Sequence, residues 1–511
     1  VILKKNQWEA RVVDVVVIGL GPVGATLANL LGRAGISVVV LEREPAVYPL
    51  PRAVHFDAEC MRVFDAIGVA PALAEHCRVS PGMKFVNADG KLLVDWQRPE
   101  GIGPQGWNSS YRFHQPDLER ILRERLATHA CVDVRLRSEV FALDEHADHV
   151  QVRYEDLSCG ALREVRARYV IGADGARSLV RRMIGSEMVD LGLHERWLVF
   201  DALLKRDWNV LGEHSVQFCD PARPATYVRG VDNRRRWEIM LRPGEDAARF
   251  AQAENVWSML KKWITPDDAD LERAVVYTFH AVIAQRWRQG RLMLAGDAAH
   301  QTPPFLGQGM CAGIRDASNL AWKLVAILRH GASDALLDTY QQERYPHVSE
   351  FITLAVELGR IIQAVDQDAA ARRDEMFANG PRRLQSLSPR LGASALLLQE
   401  AEGGAISRQP TLADGRRMDD AAGNDFLLLT RGGAFSAAQC EAARAAFPWP
   451  LRWIEDASES TRQWLDTLDA DAVLIRPDRY VAGVARGGDA LRNLTASVGA
   501  ALGVAEAPVA A

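Results

Sequence analysis

The apolar positions of this chain switch between two periods, and the first switch falls close to the start. Asp14-Val15-Val16-Val17-Ile18 is a β-branched run of the kind a parallel sheet buries on both faces. It runs straight into Gly19-Leu20-Gly21-Pro22-Val23-Gly24, then into helical spacing over 25–35 that ends on Gly35. A second apolar strand over 38–41 is closed by Glu42, which completes a predicted βαβ unit. Two later segments repeat the strand-then-turn pattern: 167–171 leads into Gly172-Ala173-Asp174-Gly175 and a helix over 179–184, and 291–295 leads into Gly296-Asp297. Between them, β-rich segments at 197–204, 215–219, 225–228, 236–241 and 274–281 predict an inserted antiparallel sheet. Amphipathic helices are predicted over 116–128 and 312–329. From about residue 409 a third pattern begins, with strands at 425–429, 451–454 and 472–481 separated by helices.

The predicted class is therefore α/β, in five pieces. Residues 1–187 form the first part of a Rossmann-like domain, with 76–112 a candidate contribution to the inserted domain. Residues 188–283 form that antiparallel-sheet domain, 284–375 complete the first domain, 376–408 make a helical linker, and 409–511 make a C-terminal domain.

The glycine motif carries chemistry because a pyrophosphate must come close to backbone N–H groups at a helix N-terminus, where a Cβ would obstruct it and the dipole favours negative charge. Gly19, Gly21 and Gly24 supply the clearance, with Pro22 and Val23 between them. Glu42 lies 23 residues after Gly19, near the spacing at which an acidic side chain meets an adenosine ribose, and Arg43 follows it. The competing reading is three turn glycines and a solvated glutamate. For each later Gly-Asp pair alone, a strand-ending turn competes in the same way.

A formal net charge of -5 argues against a nucleic-acid surface. Seven scattered cysteines with no C-x-x-C predict neither disulfides nor a metal site, and fit a reducing cytoplasm. The apolar stretch over 12–41 is interrupted by glycines and polar residues and has no signal-peptide cleavage pattern, so no membrane segment is predicted.

The three segments ending on Gly24, Asp174 and Asp297, in that order, resemble the fingerprints of the class A flavoprotein monooxygenases, the superfamily of p-hydroxybenzoate and phenol hydroxylases. The resemblance implies FAD as cofactor, NADH or NADPH as co-substrate, O2, and a small aromatic substrate. Asp174 would support the dinucleotide region, and Asp297 would hold the flavin's ribitol beside Gly296. Pro303-Pro304-Phe305-Leu306-Gly307-Gln308-Gly309-Met310-Cys311 resembles the loop that meets the flavin, pointing to Pro304, Gly307 and the backbone of Gly309, Met310 and Cys311. Arg52, Gln115 and Val140 complete the implied cofactor set, although a loop ion pair, a helix cap and a plain strand residue compete with those roles.

Pro51-Arg52-Ala53-Val54-His55-Phe56-Asp57, the stretch 217–224 and Arg235-Arg236-Trp237-Glu238 look most like the 3-(3-hydroxyphenyl)propionate hydroxylases. That likeness implies hydroxylation of a phenolic acid ortho to its hydroxyl, through a C4a-hydroperoxide of the flavin. His55 and Tyr227 are candidates for activating the phenol, and Arg223 and Arg236 for receiving a carboxylate, against packing and ion-pair roles for all four. The alternatives are another FAD enzyme on this scaffold, such as a halogenase, oxidase or reductase, or a flavin-binding regulatory protein. The C-terminal domain resembles the thioredoxin-like domain of phenol hydroxylase relatives; without C-x-x-C its expected role is packing or homodimerisation.

Overall fold

The computed structural model describes residues 11–206, 211–398 and 402–503. The sequence expectations lie outside the described residues where they touch 1–10, 207–210, 399–401 and 504–511.

The β-branched run becomes the strand Val12–Ile18 in an eight-stranded sheet. It pairs in parallel with Val38–Leu41 on one side and Ala161–Gly172 on the other, and Leu292–Leu294 joins in parallel beyond the latter. Val15, Val16 and Val17 are all fully buried, which is why their positions are uniformly apolar and do not alternate. Register does the functional work. Ile18 stands opposite Gly172, and Gly172 opposite Leu294, so the three strands end level. Gly19, Asp174 and Asp297, far apart in sequence, leave the same C-terminal edge side by side, the edge at which open α/β sheets bind ligands.

A nine-stranded sheet holds the β-rich middle of the chain: Met188–Leu204, Ser215–Cys219, Ala225–Arg229, Arg234–Met240 and Ala269–Ala284. Gly82–Asn87 joins it by parallel pairing with Ser215–Cys219, and brings Leu92–Gln97 along. Alternation divides its two faces. Leu198, Phe200, Tyr227 and Trp237 form a core of their own with Val256 and Leu260 of the helix Ala253–Leu260. Trp197, Cys219 and Met240 point the other way, into the main core shared with the first sheet.

The C-terminal sheet has the order Leu451–Asp456, Phe426–Arg431, Ala472–Ile475, Val481–Ala485, with the first pair parallel and the rest antiparallel. Two expectations change here. The strand expected over 472–481 is two strands, because Pro477 interrupts the ladder and Arg479 turns the chain at φ 71. The linker expected to be helical is not: the helix Gln367–Met376 ends before it, and the described residues of 377–408 contain no α-helix. Its prolines explain this, and Arg382–Arg383 instead adds a short parallel edge to Leu92–Gln97. No helix among the described residues is long and apolar enough to cross a membrane.

Candidate active site

The three fingerprint glycines are required for different reasons. Gly19 has φ +100, and a Cβ there would strike the Ala173 carbonyl; a Cβ on Gly24 would strike the Gly19 carbonyl. Gly21 is different, because a Cβ there would meet nothing within 4 Å. Two glycines pack the fingerprints together, and the third leaves an open approach to the start of the helix Pro22–Arg33. That helix begins with Pro at its first turn and has no side-chain cap, so its first N–H groups face outward unpartnered. Glu42 accepts hydrogen bonds from the N–H groups of Leu20 (2.7 Å) and Glu44 (2.9 Å), which fixes the glycine loop and leaves each carboxylate oxygen a second lone pair. Arg43 is exposed and pairs with Glu44. Val140 is half-buried, two residues beyond Ser138, whose N–H bonds the Glu42 carbonyl.

Asp174 accepts from the N–H groups of Leu179 and Val180 and so caps the short helix Leu179–Met183. Its second oxygen is buried with no hydrogen-bond partner. Asp297 also has no hydrogen-bond partner among the described residues, and desolvation pushes its pKa up against the pull of His300 and Arg52. Its side chain is nonetheless exposed. A desolvated carboxylate that can still be reached is suited to hydroxyl donors. Gly296, at φ +65, packs on Val23, and Val23 also fills the space beside Gly313. Asp316 fastens the loop by accepting from Gly296 N–H (3.0 Å), His300 (2.6 Å) and Arg344 (2.9 Å).

The helix Gly309–His330 starts after Gln308, again without a side-chain cap. Pro304 opens the short turn before it, and Gly307 at φ +65 lies against His55. Met310 is half-buried and Cys311 buried, its thiol directed at the carbonyls of His55 and Gly307. Gln115 accepts from the N–H groups of both Arg52 (3.0 Å) and Ala53 (2.7 Å) and donates to Glu119, so it holds the Arg52 loop in place. These features fit FAD: the two uncapped helix starts would offer N–H groups to its pyrophosphate and to the flavin's anionic edge, Gly21 would admit it, and Asp297 would take ribitol hydroxyls.

The four expected catalytic side chains fare worse. His55 is buried, with Nδ1 on the Gly307 carbonyl (3.1 Å) and Nε2 on Ser110 Oγ (2.9 Å). Because a carbonyl only accepts, Nδ1 carries the proton and Nε2 accepts from Ser110. Burial, then Arg112 and Arg98, lower its pKa to about 3, which leaves the buried imidazole neutral. Tyr227 packs at 5.3 Å from Trp237 in the separate core, on the face turned away from the cofactor loops. Arg223 is spent on a two-pronged pair with Glu245 (2.7 and 2.8 Å). Arg236 is on the opposite face from Tyr227, but it binds Asp201 and donates to the Pro51 and Arg52 carbonyls (both 2.6 Å), so it ties the nine-stranded sheet to the Arg52 loop.

Sequence reasoning missed the polar groups around that tie. Arg112 is buried and reaches Ser215 Oγ (2.7 Å); Arg315 joins Asp57 and Glu59 behind the flavin helix. Glu238 is buried among Arg236, Arg273 and Arg112. The available signal was charge inside apolar elements: Arg315-Asp316 within a buried helix, and Arg236 and Glu238 alternating with Trp237 and Ile239. Two surface hollows, one lined by Glu75, Arg78 and Arg229 and the other by Arg288, Gln341 and Tyr345, contain none of the fingerprint residues.

Comparison with known proteins agrees with this geometry. The family described as FAD binding domain matches residues 12–355, and the HcaD C-terminal domain matches residues 436–500. The chain is 38% identical over 513 residues to a protein of Rhodococcus jostii (strain RHA1) named probable NADH-specific resorcinol 4-hydroxylase, covering 96% of each. It is 32% identical to the 3-(3-hydroxy-phenyl)propionate/3-hydroxycinnamic acid hydroxylase 2 of Burkholderia vietnamiensis (strain G4 / LMG 22486), covering 92% of this chain and 93% of that one. Among solved structures, the fold matches the flavin-dependent monooxygenase PieE in complex with FAD and substrate at TM-score 0.82 and 21% identity, over 96% of this chain and 99% of that one. Aklavinone-11 hydroxylase with FAD and aklavinone matches at 0.79 and 23%, with the same coverage. With its fingerprints converging on one sheet edge and its whole length matched in this way, the chain belongs to the FAD-dependent class A aromatic hydroxylases.

Proposed function

We propose that the enzyme hydroxylates a meta-substituted phenol ortho to its hydroxyl, with NADH as the electron donor, and that its preferred substrate is an acid of the 3-(3-hydroxyphenyl)propionate type. The two named relatives act, by their names, on phenols that carry a second group in the meta position, one neutral and one acidic. The observation that favours the acid is Arg112. Its guanidinium is buried, bonds only a neutral serine, and forms no ion pair among the described residues. Arg98 stands near it, also without an ion pair, and burial brings both to about 10. A buried guanidinium without a salt-bridge partner favours an anion brought by the substrate.

FAD, when bound and reduced, supplies the activated oxygen. The chain's residues supply position and dryness. The helix start at Gly309–Cys311 favours negative charge on the flavin, Arg236 and Gln115 hold the Arg52 loop, and Trp197 closes on Phe305 at 5.7 Å to exclude water. We further read the C-terminal domain as thioredoxin-like from its strand order; its Cys440 has no second cysteine nearby in sequence, so dithiol exchange is not its role.

The test is substrate-stimulated NADH oxidation by the purified holoenzyme, with product identification. 3-(3-Hydroxyphenyl)propionate is expected to give a higher kcat/KM than resorcinol and a catechol product. Arg112→Met is expected to raise KM for the acid about tenfold or more, the loss of one charged hydrogen bond, with little change for resorcinol. A higher kcat/KM for resorcinol, the reading favoured by the greater identity to the resorcinol hydroxylase, would replace the acid with a neutral diphenol. If no meta-substituted phenol stimulated turnover, the substrate class would be wrong.

A further inference from the structure

The flavin-facing side of the nine-stranded sheet is organised in cross-strand rows. One row contains Met240, Trp197 and Tyr277, and Trp197 meets Phe305 of the flavin loop. Another contains Arg236, Asp201 and Arg273, and Arg236 grips the Arg52 loop. Between them runs a row of Gln217, Thr226, Glu238, Val199 and Val275. Since the rows on both sides touch cofactor loops, the middle row faces the same enclosed space.

Glu238 is the carboxylate of that row. It is 6% exposed and has no hydrogen-bond partner among the described residues. Its neighbours are otherwise committed: Thr226 donates to Gln217 (2.5 Å), and Asp201 holds both Arg236 and Arg273 (2.7 Å each). The charged groups facing Glu238 are Arg236 on its own strand, Asp201 and Arg273 on the next two strands, and Arg112 from the strand Ser110–Phe113. A buried carboxylate without a donor is costly unless a ligand supplies one.

We propose that Glu238 is the proton acceptor for the substrate hydroxyl. The phenolic O–H bond breaks, its electron pair stays on the substrate oxygen, and the proton forms an O–H bond on a Glu238 carboxylate oxygen. Arg236 and Arg273 offset the negative charge gained by the substrate. Burial raises the pKa of Glu238, with Arg236 pulling hardest the other way. That rise narrows the gap to a phenol, whose ordinary pKa is about 10, and makes the carboxylate a better base.

The inference rests on the phenolic substrate proposed above. Its test is Glu238→Gln in the holoenzyme, assayed with a series of phenols of falling pKa, from the parent phenol to nitro-substituted ones. The expected result is a loss in kcat of about a hundredfold for the parent phenol, shrinking towards none for nitrophenols already ionised in solution. The rate of the variant should also rise with pH as the free phenol ionises. Equal losses across the series, or an unchanged pH profile, would overturn the assignment. Should the Gln variant not retain flavin, Glu238→Asp keeps a carboxylate and is expected to restore the wild-type dependence on phenol acidity; its failure to do so would count equally against it. A wild-type enzyme that no phenol stimulates would instead refute the substrate reading, which separates the two failures.

Discussion

At the scale of single residues, the best-defined feature is Asp297, an accessible carboxylate without a hydrogen-bond partner among the described residues, its pKa raised by desolvation. A raised folded-state pKa means that ionisation costs the folded protein more than the unfolded chain. The apoprotein therefore loses stability as pH rises through the carboxylate range, and gains nothing from the charge at neutral pH. Asp297→Asn removes that cost. It is expected to raise the apoprotein's melting temperature at pH 7 while weakening FAD binding about tenfold or more, through the loss of charge-assisted hydrogen bonds to hydroxyls. Thermal melts and flavin titration of the apoprotein measure the two effects, and a variant that is less stable without FAD would show that the carboxylate has a structural partner. The placement of Asp297 and the glycines at one sheet edge was legible in the sequence because it follows from the backbone and its spacing. The surroundings of Tyr227 and Arg236 were not, because an alternating strand does not reveal which of its two buried faces meets the loops of the first sheet. Tyr227 and Arg236 stand on opposite faces of one sheet for that reason.

Secondary elements meet at the site through very close approaches. Val23 lies against both Gly296 and Gly313, so the first helix, the third fingerprint and the flavin helix are locked by one side chain. A Cβ on Gly313 would come within 2.5 Å of Val23 Cγ2. Gly313→Val is therefore expected to cost about 1–3 kcal/mol by overpacking and to lower flavin occupancy, as the helix start at Gly309 is pushed from its place. Denaturant unfolding and the flavin-to-protein absorbance ratio test this; full occupancy with unchanged stability would mean that Val23 has room to turn. Regular elements were largely legible, since strong periodicity places Val12–Ile18, Ala225–Arg229 and Gly309–His330 within a few residues of their expected ends. The linker was not. Its leucines and alanines have helical preference, but Pro381 and Pro389 remove backbone donors, and those apolar side chains are used by neighbours: Leu391 and Leu397 pack with Tyr480.

Over the whole molecule, a buried ionic network fastens the C-terminal domain to the two helices behind the flavin. Glu343 of the helix Asp338–Ile362 accepts from Arg476 (two bonds of 2.8 Å), Lys323, Asn319 and Ser394, and Arg476 also holds Asp478. Tyr480 continues the connection: its hydroxyl bonds Glu59 (2.6 Å), Glu59 pairs with Arg315, and Arg315 bonds Gln308 at the start of the flavin helix. None of this was visible in the sequence, where Arg476, Glu343 and Lys323 lie far apart. Burial by itself would raise the pKa of Glu343, but Arg476 and then Lys323 outweigh it and hold it well below the usual carboxylate range. By linkage, the contribution of Glu343 is complete above its unfolded value of about 4.3 and is lost as pH falls below it. Arg476→Met strips Glu343 and Asp478 of their shared cation, and is expected to destabilise the protein by about 3–5 kcal/mol at pH 7, as when one partner of a buried pair is removed. The difference in melting temperature between wild type and variant should hold from pH 7 down to about 4.3 and shrink as the pH falls further, because protonation then dismantles in the wild type what the substitution has already removed. A difference independent of pH would assign the loss to packing around Trp322, which the Arg476 guanidinium covers at 5.1 Å, and not to charge.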